Sequence, residues 1–186
     1  MSNKSDDALC EWLLEQTQVF DAMRRLSQEI GVEVAQSVCA TEKGYAWSSP
    51  CLGTACMVAP PKCRADETPV AETHTHNLKM ESTSFSPDDY LYAIGKKLQA
   101  HCVICLDGVK CQRINSNVLK DKPEEEKMHI MFPLAEASTA ADETLKKRMS
   151  GKPYQKEQEE LERKLYEFYH LALESGLIQV CLPKEK

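Results

Sequence analysis

The chain has no excess of positive charge, no long apolar run and no internal repeat. Its 23 Lys and Arg stand against 29 Asp and Glu, a formal charge of −6. A nucleic-acid partner calls for a basic face to meet its phosphates, so this balance argues against one. No segment approaches the roughly 20 consecutive apolar residues of a membrane-spanning helix, so no membrane partner is expected. The N-terminal run Met1-Ser2-Asn3-Lys4-Ser5-Asp6-Asp7 is polar and acidic. It lacks the apolar stretch of an export leader, and a cytoplasmic location is expected. At 186 residues, 42% hydrophobic and 28% charged, the chain can build a core of ordinary globular kind. It reads as one domain with elaborations, or as a domain with a small helical extension.

What it has in plenty is cysteine, with nine. Without an export leader a disulfide framework is not expected, and the odd count leaves at least one thiol unpaired within a monomer. Cys102 and Cys105 have metal-knuckle spacing, but 101–106 reads as a buried strand. There the two positions have opposite parity and face opposite sides of a sheet. Cys51, Cys56 and Cys63 have spacings that fit no zinc pattern. The cysteines are therefore expected to act mainly as small buried hydrophobes.

Periodicity organises the rest. Leu9, Leu13, Phe20, Met23, Leu26 and Ile30 recur at helical steps, predicting a helix over 7–30 that Gln16 interrupts and Gly31 ends. Segment 32–39 reads as a strand, Thr41-Glu42-Lys43-Gly44 as a turn and 45–48 as its hairpin partner. A further strand is expected over 53–58, a surface loop over 60–67 and a strand from Thr68 through the histidines. Ser86-Pro87-Asp88-Asp89 is a helix start, with Ser as cap and Pro in the first turn. That helix should carry Tyr90, Leu91, Ile94 and Leu98 inward and stop near Ala100. Two strands, 101–106 and 109–114, should then form a hairpin through Asp107-Gly108. Segment 117–127 reads as a linker, 128–132 as a short strand, and 135–149 and 154–174 as helices. The pattern argues an α+β fold, a mixed sheet flanked by helices with a C-terminal helical extension. Its domains are expected at 1–116 and 128–186.

The chemistry concentrates in Glu72-Thr73-His74-Thr75-His76. Histidines two apart on a strand point to the same face. A carboxylate arriving from a nearby helix start would make a three-ligand site with one position left for water, the pattern of catalytic rather than structural zinc. Asp89 and Asp88 are the candidates. The bland reading of Ser86 and Asp89 is a capping box, which normally uses Glu or Gln at the acid position. Asp is expected to be too short to reach back, and so freer to face a metal.

His74-x-His76 followed by Ser86-x-x-Asp89 resembles the signature of the JAMM metalloproteases, also called the JAB or MPN domain. The resemblance covers 33–114 and is closer to the divergent prokaryotic and phage-like branch. It departs at Asn77, where that family usually has Pro, and in a longer spacer before Ser86. The resemblance implies a JAB/MPN-like, cytidine-deaminase-like fold. It implies Zn2+ held by His74, His76 and Asp89, a general base at Glu33 and an oxyanion contact from Ser86. Glu72, Glu42 and Glu29 are the other acids weighed as base, and Glu72 points the same way as His74. His101, His129 and His170 are expected to be packing or surface residues. The implied activity is hydrolysis of an amide or isopeptide bond in a protein or peptide, such as a ubiquitin-like conjugate. Two alternatives stand beside it: a catalytically silent interaction scaffold, and a metal hydrolase of a non-peptide substrate. The polar segment 77–85 is expected to be a mobile loop that governs substrate choice.

Overall fold

A computed structural model describes residues 4–54, 59–76 and 85–183. The fold is α+β, with a mixed, mostly antiparallel sheet flanked by helices. The chain falls into two compact units, one of Met1–Phe85, Lys96–Ile114 and Gln179–Lys186, the other of Ser86–Gly95 and Asn115–Ile178. No helix among the described residues is long and apolar enough to cross a membrane.

The first unit begins with α1 (Lys4–Leu14) and α2 (Thr17–Ile30), where the apolar stripe predicted one interrupted helix. The break falls at Gln16, whose amide donates to the Trp12 carbonyl (3.0 Å) and accepts from the Trp47 indole N–H (3.1 Å). Leu9, Leu13, Phe20 and Met23 are buried as the spacing required. Ile30 is not: Ser27 takes the inner position and its hydroxyl donates to the Val32 carbonyl. Gly31 ends α2 with φ +72, a left-handed cap that suits glycine, and its N–H reaches the Ser27 carbonyl.

The sheet runs in the order β2-β1-β4-β5-β6-β7, with β3 also pairing β1. Its strands are β1 (Val34–Thr41), β2 (Gly44–Trp47), β3 (Cys51–Leu52), β4 (Thr68–Thr75), β5 (Ala100–Cys105), β6 (Gly108–Ile114) and β7 (Ile178–Val180). Strands β4 and β5 pair in parallel; β1–β2, β1–β3, β1–β4 and β5–β6 are antiparallel. Paired residues share a face of the sheet. Val34, Val38, Ala71, Cys102, Ile104 and Cys111 meet Leu9, Leu13, Phe20 and Met23 of the helices, and this is the core. The alternate positions Ala35, Ser37, Glu72, His74, His101, Val103 and Gln112 lie on the opposite face.

Several expectations are corrected. The third strand is the short β3 rather than 53–58, of which 55–58 lie outside the described residues. The loop expected over 77–85 also lies outside them except for Phe85, which is buried. The hairpin turns on Leu106-Asp107, because Cys105 pairs with Gly108. Strand β7 was not foreseen, since three residues are too few for a periodic signal.

Cysteine pairing is the largest correction. Cys10–Cys181, Cys39–Cys63 and Cys102–Cys111 are disulfides. Cys102 and Cys111 sit directly opposite across the β5–β6 hairpin, a proximity created by the fold and invisible to spacing along one strand. Cys10–Cys181 joins α1 to the chain after β7, and the Cys181 N–H donates to the Cys111 carbonyl.

The second unit holds α3 (Pro87–Gly95), α4 (Asn117–Lys120), α5 (Glu124–Met149) and α6 (Gln155–Glu174). Helix α3 stops at Gly95, earlier than expected; Lys97 takes a positive φ of 55 and β5 has begun by Ala100. Tyr90 and Ala93 face inward, whereas Leu91 is exposed. The strand expected over 128–132 is part of α5, which continues through Pro133. An internal proline normally marks a helix end, since it removes one backbone donor and crowds the preceding turn. Here three glutamates in the first turn and Lys146, Lys147 and Arg148 in the last match the helix dipole at both ends. The segment expected as a linker is α4 and the start of α5. Helices α5 and α6 are tied by the ion pairs Lys147–Glu157 and Lys164–Glu136.

At the centre of this unit Phe168 is fully buried and meets the Tyr90 ring edge-on at 5.1 Å between centroids. Truncating a buried aromatic removes its transfer energy and leaves a cavity. Phe168→Ala should therefore cost about 3–5 kcal/mol in denaturant unfolding, while the exposed-site control Tyr166→Ala should change little. A loss under 1 kcal/mol would contradict this packing.

Candidate metal centre

The site grows from the end of β4. Thr73 and Thr75 are buried on the core face, and the Thr75 hydroxyl accepts the Val34 N–H at 2.9 Å. That bond pins the strand end to β1 and fixes the phase of the alternation. Glu72, His74 and His76 must then point the other way. All three are buried, at 5%, 6% and 7% exposure. Just past the strand, the His76 N–H donates to the Ile104 carbonyl at 3.0 Å. The two imidazoles lie 5.0 Å apart between centroids.

Glu72 touches the site through His74. Its Oε1 lies 2.8 Å from the His74 Nδ1. A carboxylate at this distance takes the ring N–H, which selects the tautomer carrying its lone pair on Nε2. Metal-ligating histidines are commonly held in this way, with ring orientation fixed and ligand basicity raised. Next to Glu72 on β5 is His101, fully buried beneath Phe85, whose ring stacks on it at 4.1 Å. His101 is therefore an interior residue of the sheet rather than a surface one.

Glu33 precedes β1 by one residue. Its backbone N–H donates to the Thr54 carbonyl and its carbonyl accepts from Gly53. Ala35 is paired with His74, so by alternation Glu33 belongs to the same face as the histidines. It is 8% exposed. Glu29 and Glu42 are exposed, on α2 and in the β1–β2 turn. The Glu72 carboxylate is directed to His74, and Glu33 is a second buried acid assigned to that face.

At the start of α3 the capping pattern closes in both directions. The Ser86 N–H donates to the Asp89 Oδ2 at 2.6 Å, and the Asp89 N–H donates to the Ser86 hydroxyl at 3.3 Å. The expectation that aspartate is too short for this is wrong, because the tight first turn brings the backbone to it. The cap does not remove Asp89 from metal chemistry. It holds one carboxylate oxygen and so orients the other. Asp88 is separated from the alternatives by Ser138 of α5, whose hydroxyl donates to its Oδ1 at 3.3 Å.

His74 and His76 of the first unit and Asp89 of the second supply a set of side chains that could hold a metal ion. Two imidazole nitrogens and a carboxylate oxygen form a donor set suited to a divalent ion of zinc type, with one position left over. The sequence pattern singled out all three of these residues. It did not signal the reciprocal cap or the Ser138–Asp88 contact, since both depend on where side chains come to rest.

If Glu72 orients His74, Glu72→Ala should weaken zinc about 10–100-fold without abolishing it, measured by competition with a chromogenic chelator. Affinity equal to the parent would remove Glu72 from the site. No protein family, no curated protein and no solved structure matches this chain, so its function has to be argued from these residues.

Proposed function

We propose that the chain is a zinc-dependent hydrolase of an amide or isopeptide bond, as its resemblance to the JAMM (JAB/MPN) metalloproteases implies. The observation that carries this reading is that His74, His76 and Asp89 are a group of side chains that could hold a metal ion. On the face of those histidines lie a positioning carboxylate, Glu72, and a second buried acid, Glu33. A structural site would account for the ligands alone. It would not call for a second buried acid, Glu33, on the same face.

Zn2+, when bound, would supply Lewis acidity and an acidified water at neutral pH. The chain's own residues would do the rest. His74, fixed by Glu72, presents Nε2, and His76 and Asp89 complete the protein ligands. Glu33 accepts a proton from the attacking water and delivers it to the nitrogen of the leaving amine, so the proton count closes over the cycle. The Ser86 hydroxyl accepts the Asp89 N–H, and its own proton is directed to the oxygen of the scissile carbonyl as charge develops there. The substrate class is a protein or peptide amide, with a conjugated ubiquitin-like protein as the form the resemblance points to.

Elemental analysis should find about one zinc per chain under oxidising conditions. His74→Ala, His76→Ala and Asp89→Ala should each lose most of it. Full retention by the His74→Ala, His76→Ala double variant would refute the site. Glu33→Gln should keep the zinc and lower the hydrolysis rate on an isopeptide or peptide panel by about 10²–10⁴-fold. Activity of Glu33→Gln at the parent level would overturn the base assignment. Zinc without hydrolysis across peptide, isopeptide and phosphodiester substrates would leave a scaffold.

A further inference from the structure

A second group of metal-ligating side chains lies elsewhere in the first unit. Cys39, Cys63 and Glu67 bring two sulfurs and a carboxylate oxygen within 4.8 Å of one another. Cys39 is 1% exposed on β1, at the point where the register with β4 shifts between Val38 and Cys39. Such bulges re-aim side chains locally. Cys63 and Glu67 come from the loop before β4. There the Glu67 N–H donates to the Arg64 carbonyl and the Arg64 N–H donates to the Glu67 Oε2, each at 3.1 Å. This turn folds Cys63 and Glu67 back onto Cys39. A second anchor is the Ser37 hydroxyl, which donates to the Pro61 carbonyl and holds the loop against β1.

We propose that Cys39, Cys63 and Glu67 form a redox-gated binding site for a thiophilic divalent cation, Zn2+ above all. Oxidised, the two cysteines are a disulfide with Cα atoms 5.8 Å apart, and the site is closed to metal. An external dithiol opens it. Two electrons and two protons pass to the Cys39–Cys63 bond, giving two thiols, and the reductant leaves as its own disulfide. Zn2+ then displaces both thiol protons and binds two thiolates and the Glu67 carboxylate. The sulfurs must move from bonding distance to the edge of a tetrahedron, about 3.8 Å for Zn–S bonds of about 2.3 Å. With the Cα separation unchanged, rotation about the two Cα–Cβ bonds can supply that distance. Two soft donors and one carboxylate favour zinc over the harder calcium and magnesium. Three protein ligands leave a fourth position for water or an incoming group.

A loop staple accounts for the two cysteines and leaves Glu67 unexplained. Its carboxylate takes one backbone N–H of its own turn through Oε2, and one of its oxygens lies within 4.8 Å of both sulfurs. The other two disulfides have no third ligand among the described residues. The gated site is therefore specific to this pair, and it does not depend on the histidine centre.

The test compares the whole chain oxidised and after reduction by a dithiol that is then removed without oxygen. The reduced chain should bind one more Zn2+ than the oxidised chain, and Cd2+ in its place should give a thiolate charge-transfer band. In the reduced parent, Zn2+ should slow alkylation of Cys63 but not of Cys102 or Cys111, read by peptide mass. Cys39→Ser with Cys63→Ser should lose the increment, and Cys102→Ser with Cys111→Ser should keep it. Glu67→Gln should weaken the added ion by roughly tenfold or more, as expected for loss of one of three protein ligands. The proposal is overturned if the reduced parent binds no more Zn2+ than the oxidised chain. It is equally overturned if the increment survives Cys39→Ser with Cys63→Ser. Both readings of the parent need no variant to fold, and neither changes if the histidine site proves empty.

Discussion

The phase of β4 is the constraint on which the rest depends. This strand lies between β1 and β5, and its alternation sorts one sequence into two chemistries. Ala71, Thr73 and Thr75 go to the core face, while Glu72, His74 and His76 go to the other. A slip of one residue would bury two imidazoles and a carboxylate among Leu9, Leu13 and Phe20 and turn the core residues outward. Burying such groups without partners costs several kcal/mol each. The Thr75–Val34 bond and the His76–Ile104 bond hold the phase at the strand end, where a slip would begin.

The Glu72–His74 contact converts that phase into a chemical state. In a buried environment a carboxylate and an imidazole 2.8 Å apart are strongly coupled, and the ring cannot turn without breaking the bond. The same pair therefore fixes the ring and leaves Nε2 as its other nitrogen. Ser86 and Asp89 do the equivalent for the Asp89 carboxylate. Their reciprocal cap makes the helix start and the orientation of the carboxylate one event. Structural and functional readings of that motif are not rivals, since the capping bond uses one oxygen and a ligand needs only the other.

Cysteine chemistry marks the limit of compositional argument. The acidic N-terminal run suggested thiols; among the described residues six cysteines are paired, and Cys51 and Cys105 lie outside the disulfides. Cys102 and Cys105 do face opposite sides, as their parity required. The partner of Cys102 came instead from the next strand, nine residues on.

The sequence by itself determined what is periodic or local. The α+β class, the apolar stripe of the N-terminal helical segment, the His-x-His strand, the Ser-Pro helix start and the apolar stripe of α6 were all legible. Each rests on spacings of two, three or four residues that the backbone geometry translates directly. Tertiary structure decided everything that joins distant segments. It paired Cys10 with Cys181, returned β7 to the sheet, sent Ser138 to Asp88 and kept α5 helical through Pro133. It also assigned the acids, directing Glu72 to His74, burying Glu33 on the same face and leaving Glu29 and Glu42 in water. An acid's role depends on which neighbours and how much water surround it, and those are set by packing between segments that no local pattern encodes.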